Sequence, residues 1–155
     1  MTWKTMATEI DKKGSNVVIK RSDYLAFTPA YAFFLKEVAS LFQTGNALPY
    51  TYWNDVDCEI LWAEIDNEIV GMISYDKYWL EKQMPHLSIV LTAVDQNFRQ
   101  RGIHQIMNKH YENRAKELGC MAIRATVNLK NTVRIKSAEK DKLSPLMYIM
   151  SKRIK

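Results

Sequence analysis

The segment HLSIVLTAV (86–94), followed at once by DQNFRQRGIHQIM (95–107), limits this chain more than any other feature. Ile89, Val90 and Leu91 are consecutive and apolar. A strand buried on both faces reads this way, and such a strand belongs at the centre of a sheet. A helical stripe begins just past Gly102: Ile103, Ile106, Met107, His110, Tyr111, Ala115 and Leu118, with Gly119 as its stop. MAIRATV (121–127) then reads as another strand. Strand, helix and strand across 86–127 make one β-α-β crossover, which forces two parallel strands into the sheet.

The remaining segments fall around that unit. NVVIKR (16–21) is a short strand, bounded upstream by Gly14 and Ser15. Thr28-Pro29 predicts a helix start, with Thr28 as N-cap and Pro29 at the first helical position. Tyr31, Phe34, Leu35, Val38, Leu41 and Phe42 recur at helical spacing as far as Gln43, and Gly45 is a stop. EILWAEI (59–65) and EIVGMISYDKYW (68–79) are strands joined by an Asp66-Asn67 hairpin turn. A basic helix runs from Asn131 to about Lys140, and LMYIMSKRI (146–154) is a final strand. The order β-α-β-β-β-α-β-α-β predicts an α/β (α+β) fold with a mixed, mostly antiparallel central sheet and helices on both faces. Residues 46–58, NALPYTYWNDVDC, are less regular. They read either as a surface loop with aromatics tucked against the core or as the acidic, aromatic wall of a pocket for a cationic acceptor.

A chain of 155 residues suggests one domain spanning 1–155. No apolar run is long enough to span a bilayer, and MTWKTMATEIDKK carries no signal-peptide core, so a cytoplasmic protein is expected. Cys58 and Cys120 form no metal-ligand cluster, nor do His86, His104 and His110, so no metal is expected. The net charge of +5 is concentrated near the end, in Lys130, Arg134, Lys136, Lys140, Lys142, Lys152, Arg153 and Lys155. It suits an anionic cofactor as well as a nucleic acid, and no RNA- or DNA-binding motif accompanies it.

A loop that runs from a central strand into a helix gathers unpaired N–H groups at one point, and the helix dipole adds positive potential there. The product is an anion site, most often for phosphate. Gly102 permits a positive φ or a close backbone approach. Arg99 and Arg101 add charge. One glycine before a helix is by itself a weak signal.

The wider context makes it stronger. VDQNFRQRGIHQIM (94–107) resembles the acetyl-CoA loop of the GCN5-related N-acetyltransferases, whose pattern of Gln or Arg, two residues, Gly, one residue, then Gly or Ala reads here as Arg99, Gly102 and His104. WAEIDNEIVGMIS (62–74) is similar to that family's second and third strands. AIRATVNLKN (122–131) is similar to its fifth strand and to the Asn that opens the next helix. The resemblance implies acetyl-CoA as co-substrate, held between two splayed strands. Backbone groups of Thr92, Ala93 and Val94 would meet the pantetheine and polarise the thioester carbonyl. Amides from Arg99, Gln100, Arg101, Gly102, Ile103 and His104 would hold the diphosphate, with Asn131 a further contact. An amine-bearing acceptor would attack the acetyl carbon directly, so most of the rate would come from positioning, with a gain from amine deprotonation.

Three positions depart from the family pattern. His104 stands where Gly or Ala is usual; it either crowds the diphosphate or lies along the helix. Ser88 stands where many members carry a Glu base. Period-two geometry puts His86, Ser88, Val90, Thr92 and Val94 on one face, so His86 is the alternative base, directly or through water held by Ser88; otherwise it is a solvated residue at the strand start. Ala138 stands where a Tyr acid is usual, with Tyr148 as a substitute or merely core. Arg134 replaces a small residue, and Lys142-Leu143 replaces Gly-Phe. His110 reads as a hydrogen-bonded core residue. The expected activity is an acetyl-CoA-dependent N-acetyltransferase acting on a small molecule, a peptide or protein, or an aminoacyl-tRNA. The alternative is a non-catalytic module of this fold that binds CoA or a macromolecule. A homodimer stays open.

Overall fold

The computed structural model describes residues 3–45 and 58–146. Six strands form one sheet in the order β1-β2-β3-β4-β5-β6: β1 (Trp3–Ile10), β2 (Asn16–Ser22), β3 (Glu59–Ile65), β4 (Glu68–Asp76), β5 (His86–Val94) and β6 (Ala122–Ala125). The first five pair antiparallel and β5 pairs β6 in parallel. The helices are α1 (Tyr31–Gln43), α2 (Ile103–Glu117) and α3 (Thr132–Lys140). The mostly antiparallel mixed sheet with helices on both faces is thus as expected. The predicted strand 146–154, with Tyr148, lies outside the described residues apart from its first position, and 46–57 lies outside them entirely.

Alternation along the strands divides the core. Val17, Ile19, Leu61, Ala63, Ile73, Tyr75, Leu87 and Ile89 face α2, whose Ile103, Met107, Tyr111 and Ala115 fill that side. Ile60, Trp62, Met72 and Leu91 face the other way, against Phe34 of α1, Leu25 and Ala30. The α2 stripe matches the helical spacing. Gly71 lets α2 approach the sheet closely: a Cβ there would lie 2.9 Å from Met107 Cε and 3.2 Å from the Ala93 carbonyl oxygen.

The structure corrects the sequence reading in several places. β1 was not anticipated, because it is an edge strand whose residues are mostly exposed and carry little apolar alternation. Thr28 does not cap α1. Its hydroxyl donates back to the Leu25 carbonyl at 2.8 Å, closing a 3₁₀ turn, and α1 begins at Tyr31 with Ala30 as N-cap. Leu35 and Phe42 point to solvent, so the buried stripe of α1 is centred on Phe34. The Asp66-Asn67 turn has positive φ at both residues, 51° and 62°, as a two-residue hairpin loop of this hand requires.

Candidate active site

The sheet opens at β5 and β6. Their parallel pairing runs from His86–Ala122 to Ile89–Ala125 and stops there, while β5 continues beside β4 to Val94. β6 itself ends at Ala125, and β5 is irregular on its opposite edge. Ser74 pairs with Leu91 and Tyr75 with Ile89, so Val90 has no residue opposite it. Such a bulge bends the strand and increases its local twist, and it falls just past the last β5–β6 pair.

The bulge also reverses the side-chain alternation. Leu87 and Ile89 face α2, Val90 and Leu91 face α1, and Val94 faces α2 again. The expectation that His86, Ser88, Val90, Thr92 and Val94 share a face therefore fails. His86 and Ser88 lie on the α1 side. Thr92 lies on the α2 side, its hydroxyl 3.5 Å from His104 Nδ1.

The loop after β5 has the backbone of an anion cradle. Gln100 and Gly102 take φ of 62° and 83°. Gly102 is the N-cap of α2 and offers no side-chain acceptor to the first-turn amides. Those N–H groups sit at the positive end of the helix dipole, beside the mouth of the opened strands. Arg99 Nε donates to the Val94 carbonyl at 3.2 Å and ties the loop to β5. Arg101 behaves differently from expectation: its guanidinium is committed inside the protein, donating to Asp11 Oδ2 at 2.7 Å and to Ser15 Oγ at 2.8 Å.

The His104 side chain is engaged by the end of α3. Its Nε2 lies 2.6 Å from Asp141 Oδ2, at the C-cap of α3. Asp141 is one of the residues the sequence reading missed, since nothing local marks it. Arg134, in the first turn of the same helix, is half-buried. Burial pushes its guanidinium below the ordinary value, and the nearby Asp141 and Tyr111 oppose that shift. Asn131 caps α3, its side chain accepting from the Arg134 amide at 3.1 Å.

On the α1 side, His86 is buried at 4% exposure and is no solvated strand-start residue. Its Nδ1 lies 3.0 Å from the Met84 carbonyl, which can only accept, so Nδ1 carries the proton and Nε2 the lone pair in the neutral ring. Ser88 stands between Asp76 on β4 and Arg124 on β6 in the strand register. Asp76 is a second group the sequence reading missed: pairing alone brings this carboxylate beside Ser88.

Other expected features take structural roles. His110 Nε2 bonds Glu9 Oε2 at 2.8 Å, on the unanticipated β1. Neither Cys58 nor Cys120 is in a disulfide, and burial raises the Cys120 pKa. Among the described residues, no group of His, Cys, Asp and Glu could hold a metal ion, and no helix is long and apolar enough to cross a membrane.

A family model described as "Acetyltransferase (GNAT) family" matches residues 26–140. The chain belongs to the GNAT acetyltransferase family. This GNAT protein is accordingly an N-acetyltransferase, and its fold matches solved members. One is the ribosomal-protein-alanine N-acetyltransferase from Brucella melitensis biovar Abortus 2308, at TM-score 0.66 and 15% identity over 89% of this chain and 99% of the other. Another is an aminoglycoside acetyltransferase from an uncultured soil metagenomic sample, in complex with sisomicin, at 0.65 and 16% over 90% and 95%. A third is the aminoglycoside N-acetyltransferase AAC(6')-Iy in complex with CoA, at 0.64 and 13% over 92% and 97%. At these identities the likeness establishes the fold alone. No curated protein sequence matches this GNAT chain significantly.

Proposed function

We propose that this GNAT protein transfers an acetyl group from acetyl-CoA to a primary amine. The observation that carries the reading is the parting of β5 from β6 beyond Ile89–Ala125, directly beside the uncapped N-terminus of α2. A thioester arm needs such a gap with unpaired main chain on its wall, and a diphosphate needs such a helix end. The residues present fit acetyl-CoA: the 99–104 main chain for the diphosphate and Thr92–Val94 for the arm. When bound, that group supplies an activated acetyl carbonyl.

The chain's own residues do the rest. Main-chain groups of Thr92 to Val94 orient the donor. On the opposite face of β5, Ser88 pairs across the sheet with Asp76 of β4, and the buried His86 lies two residues before it. An acceptor ammonium must lose a proton before it can attack, and a serine cannot take it at neutral pH; His86 is assigned that task, with Asp76 holding the acceptor's positive charge. The Tyr acid usual in the family is absent at Ala138, which is buried. A thiolate is a tolerable leaving group, so its departure does not require that acid.

The neighbours named for aminoglycosides and for a ribosomal-protein alanine both imply amine acceptors, which supports the same class here. The protein is taken to act in the cytoplasm as one domain. The test is calorimetric titration with CoA, followed by thiol release from acetyl-CoA with an aminoglycoside, peptides bearing a free N-terminus or a lysine, and an aminoacyl-tRNA at varied salt. CoA binding with amine-dependent thiol release is expected. Binding without turnover would leave a non-catalytic module, and no binding at millimolar CoA would overturn the donor site.

A further inference from the structure

The turn between β1 and β2 is built onto the 99–102 loop from a point ninety residues away in sequence. Asp11 is its hub. Its side chain is fully buried, and it accepts from Arg101 Nε through Oδ2, and from the amides of Lys13 and Ser15, each at 2.9 Å, through Oδ1. The Lys12 amide donates to the Arg101 carbonyl at 2.9 Å. The guanidinium of Arg101 also stacks over Phe98, 5.1 Å from the ring centre. The loop's shape is therefore held from outside, by main chain and side chain together.

Lys12 has the remaining role. Its stem lies across Gly102: a Cβ on that glycine would meet Lys12 Cε at 3.4 Å, Cγ at 3.6 Å and Cδ at 3.8 Å. The residue is exposed, and its ammonium has no ion-pair partner among the described residues. Asp11, the adjacent carboxylate, is already engaged with Arg101. A cation is thus laid over the cradle at the point where Arg101 has withdrawn its own charge.

We propose that the Asp11–Ser15 turn is part of the donor site, with the Lys12 ammonium meeting the phosphates of acetyl-CoA and Asp11 acting as a positioning residue that holds Arg101 and the 99–102 turn. The proposal rests on the acetyl-CoA reading. It places a phosphate contact in a hairpin that precedes every segment matched by the family model.

The experiment uses the full chain, wild type and Lys12→Ala, Lys12→Arg and Asp11→Asn, titrated calorimetrically with CoA and 3′-dephospho-CoA at low and high salt. Turnover is measured with acetyl-CoA and with S-acetylpantetheine, which lacks all phosphates. Lys12→Ala is expected to weaken CoA about fivefold at low salt, the scale of one exposed charge contact, to flatten the salt dependence, and to lower kcat/KM for acetyl-CoA more than for acetylpantetheine. Lys12→Arg restores binding. A loss kept with dephospho-CoA assigns the contact to the diphosphate, and a loss confined to CoA assigns it to the 3′-phosphate. Asp11→Asn raises KM for acetyl-CoA with kcat retained; should that variant not fold, Ser15→Ala gives the same KM-against-kcat split. Unaltered CoA affinity in Lys12→Ala overturns the proposal, as does an equal loss with acetylpantetheine, which would mark the turn as merely structural. Wild-type protein that ignores CoA would instead overturn the donor site itself.

Discussion

Replacing Glu59 by Gln tests what holds α2 against the sheet. Glu59 has a fully buried side chain at the start of β3. Its carboxylate accepts from Arg114 at 2.6 and 3.1 Å, Arg21 at 2.9 Å and the Tyr75 hydroxyl at 2.5 Å, and pairs with Lys77 at 3.0 Å. Burial alone would raise its pKa; the hydrogen bonds from Arg114, Tyr75 and Lys77 outweigh that and bring it from 4.5 down to about 2. The interval corresponds to about 3 kcal/mol favouring the charged form in the folded protein. The amide keeps some hydrogen bonds but leaves Arg21, Arg114 and Lys77 around a neutral group. Removing one partner of a buried charge cluster typically costs about 3–5 kcal/mol. Lys77 is half-exposed and can swing into water, so a loss of about 2–4 kcal/mol is expected. The sign in pH follows from the lowered value: this stabilisation is complete above about 4.5 and is lost as pH falls toward about 2. Urea unfolding from pH 7 down to pH 3 reads both effects. Wild type should lose stability over the acidic half of that range, and the Gln variant should start lower and fall less steeply. A Gln variant within about 0.5 kcal/mol of wild type at pH 7, with the same acid slope, would refute the reasoning.

Gly71→Val should push Met107 and the Ala93 carbonyl apart, costing about 1–3 kcal/mol in chemical denaturation and raising KM for acetyl-CoA through displacement of α2. Gly102→Val places a β-branched residue at φ 83°, and CoA-induced stabilisation in thermal melts should largely vanish. His86→Ala should lower kcat/KM for the amine by about a hundredfold with CoA affinity unchanged, altering the acidic limb of the pH–rate profile; an unchanged profile would remove His86 as the base. His104→Ala leaves Asp141 unpaired near the diphosphate cradle, so CoA should bind more weakly, and His104→Ala/Asp141→Asn together should recover part of that loss.

Much of the scaffold was legible because it follows from local spacing. The α2 stripe repeats at helical period, the Asp66-Asn67 turn carries its chemistry in two residues, and the glycine ahead of Ile103 announces a helix start. Edge strand β1 was missed because an edge needs no apolar face. The α1 boundary was misread because Thr28 found a nearer carbonyl. Asp76, Asp11, Lys12 and Asp141 carried no local signal at all: each acquires its role from a partner far along the chain.

What the sequence determined by itself was a buried strand, a glycine-bearing turn and a helix in succession, since periodicity and φ preference act within a few residues. What the tertiary structure decided was the use made of them. A register slip at Val90 turns His86 and Thr92 to opposite faces, β5 runs on past the end of its parallel partner β6, and Arg101 pairs with Asp11 instead of reaching outward. Register and ion pairing depend on which segments meet across the fold, and no pattern within one segment encodes that meeting.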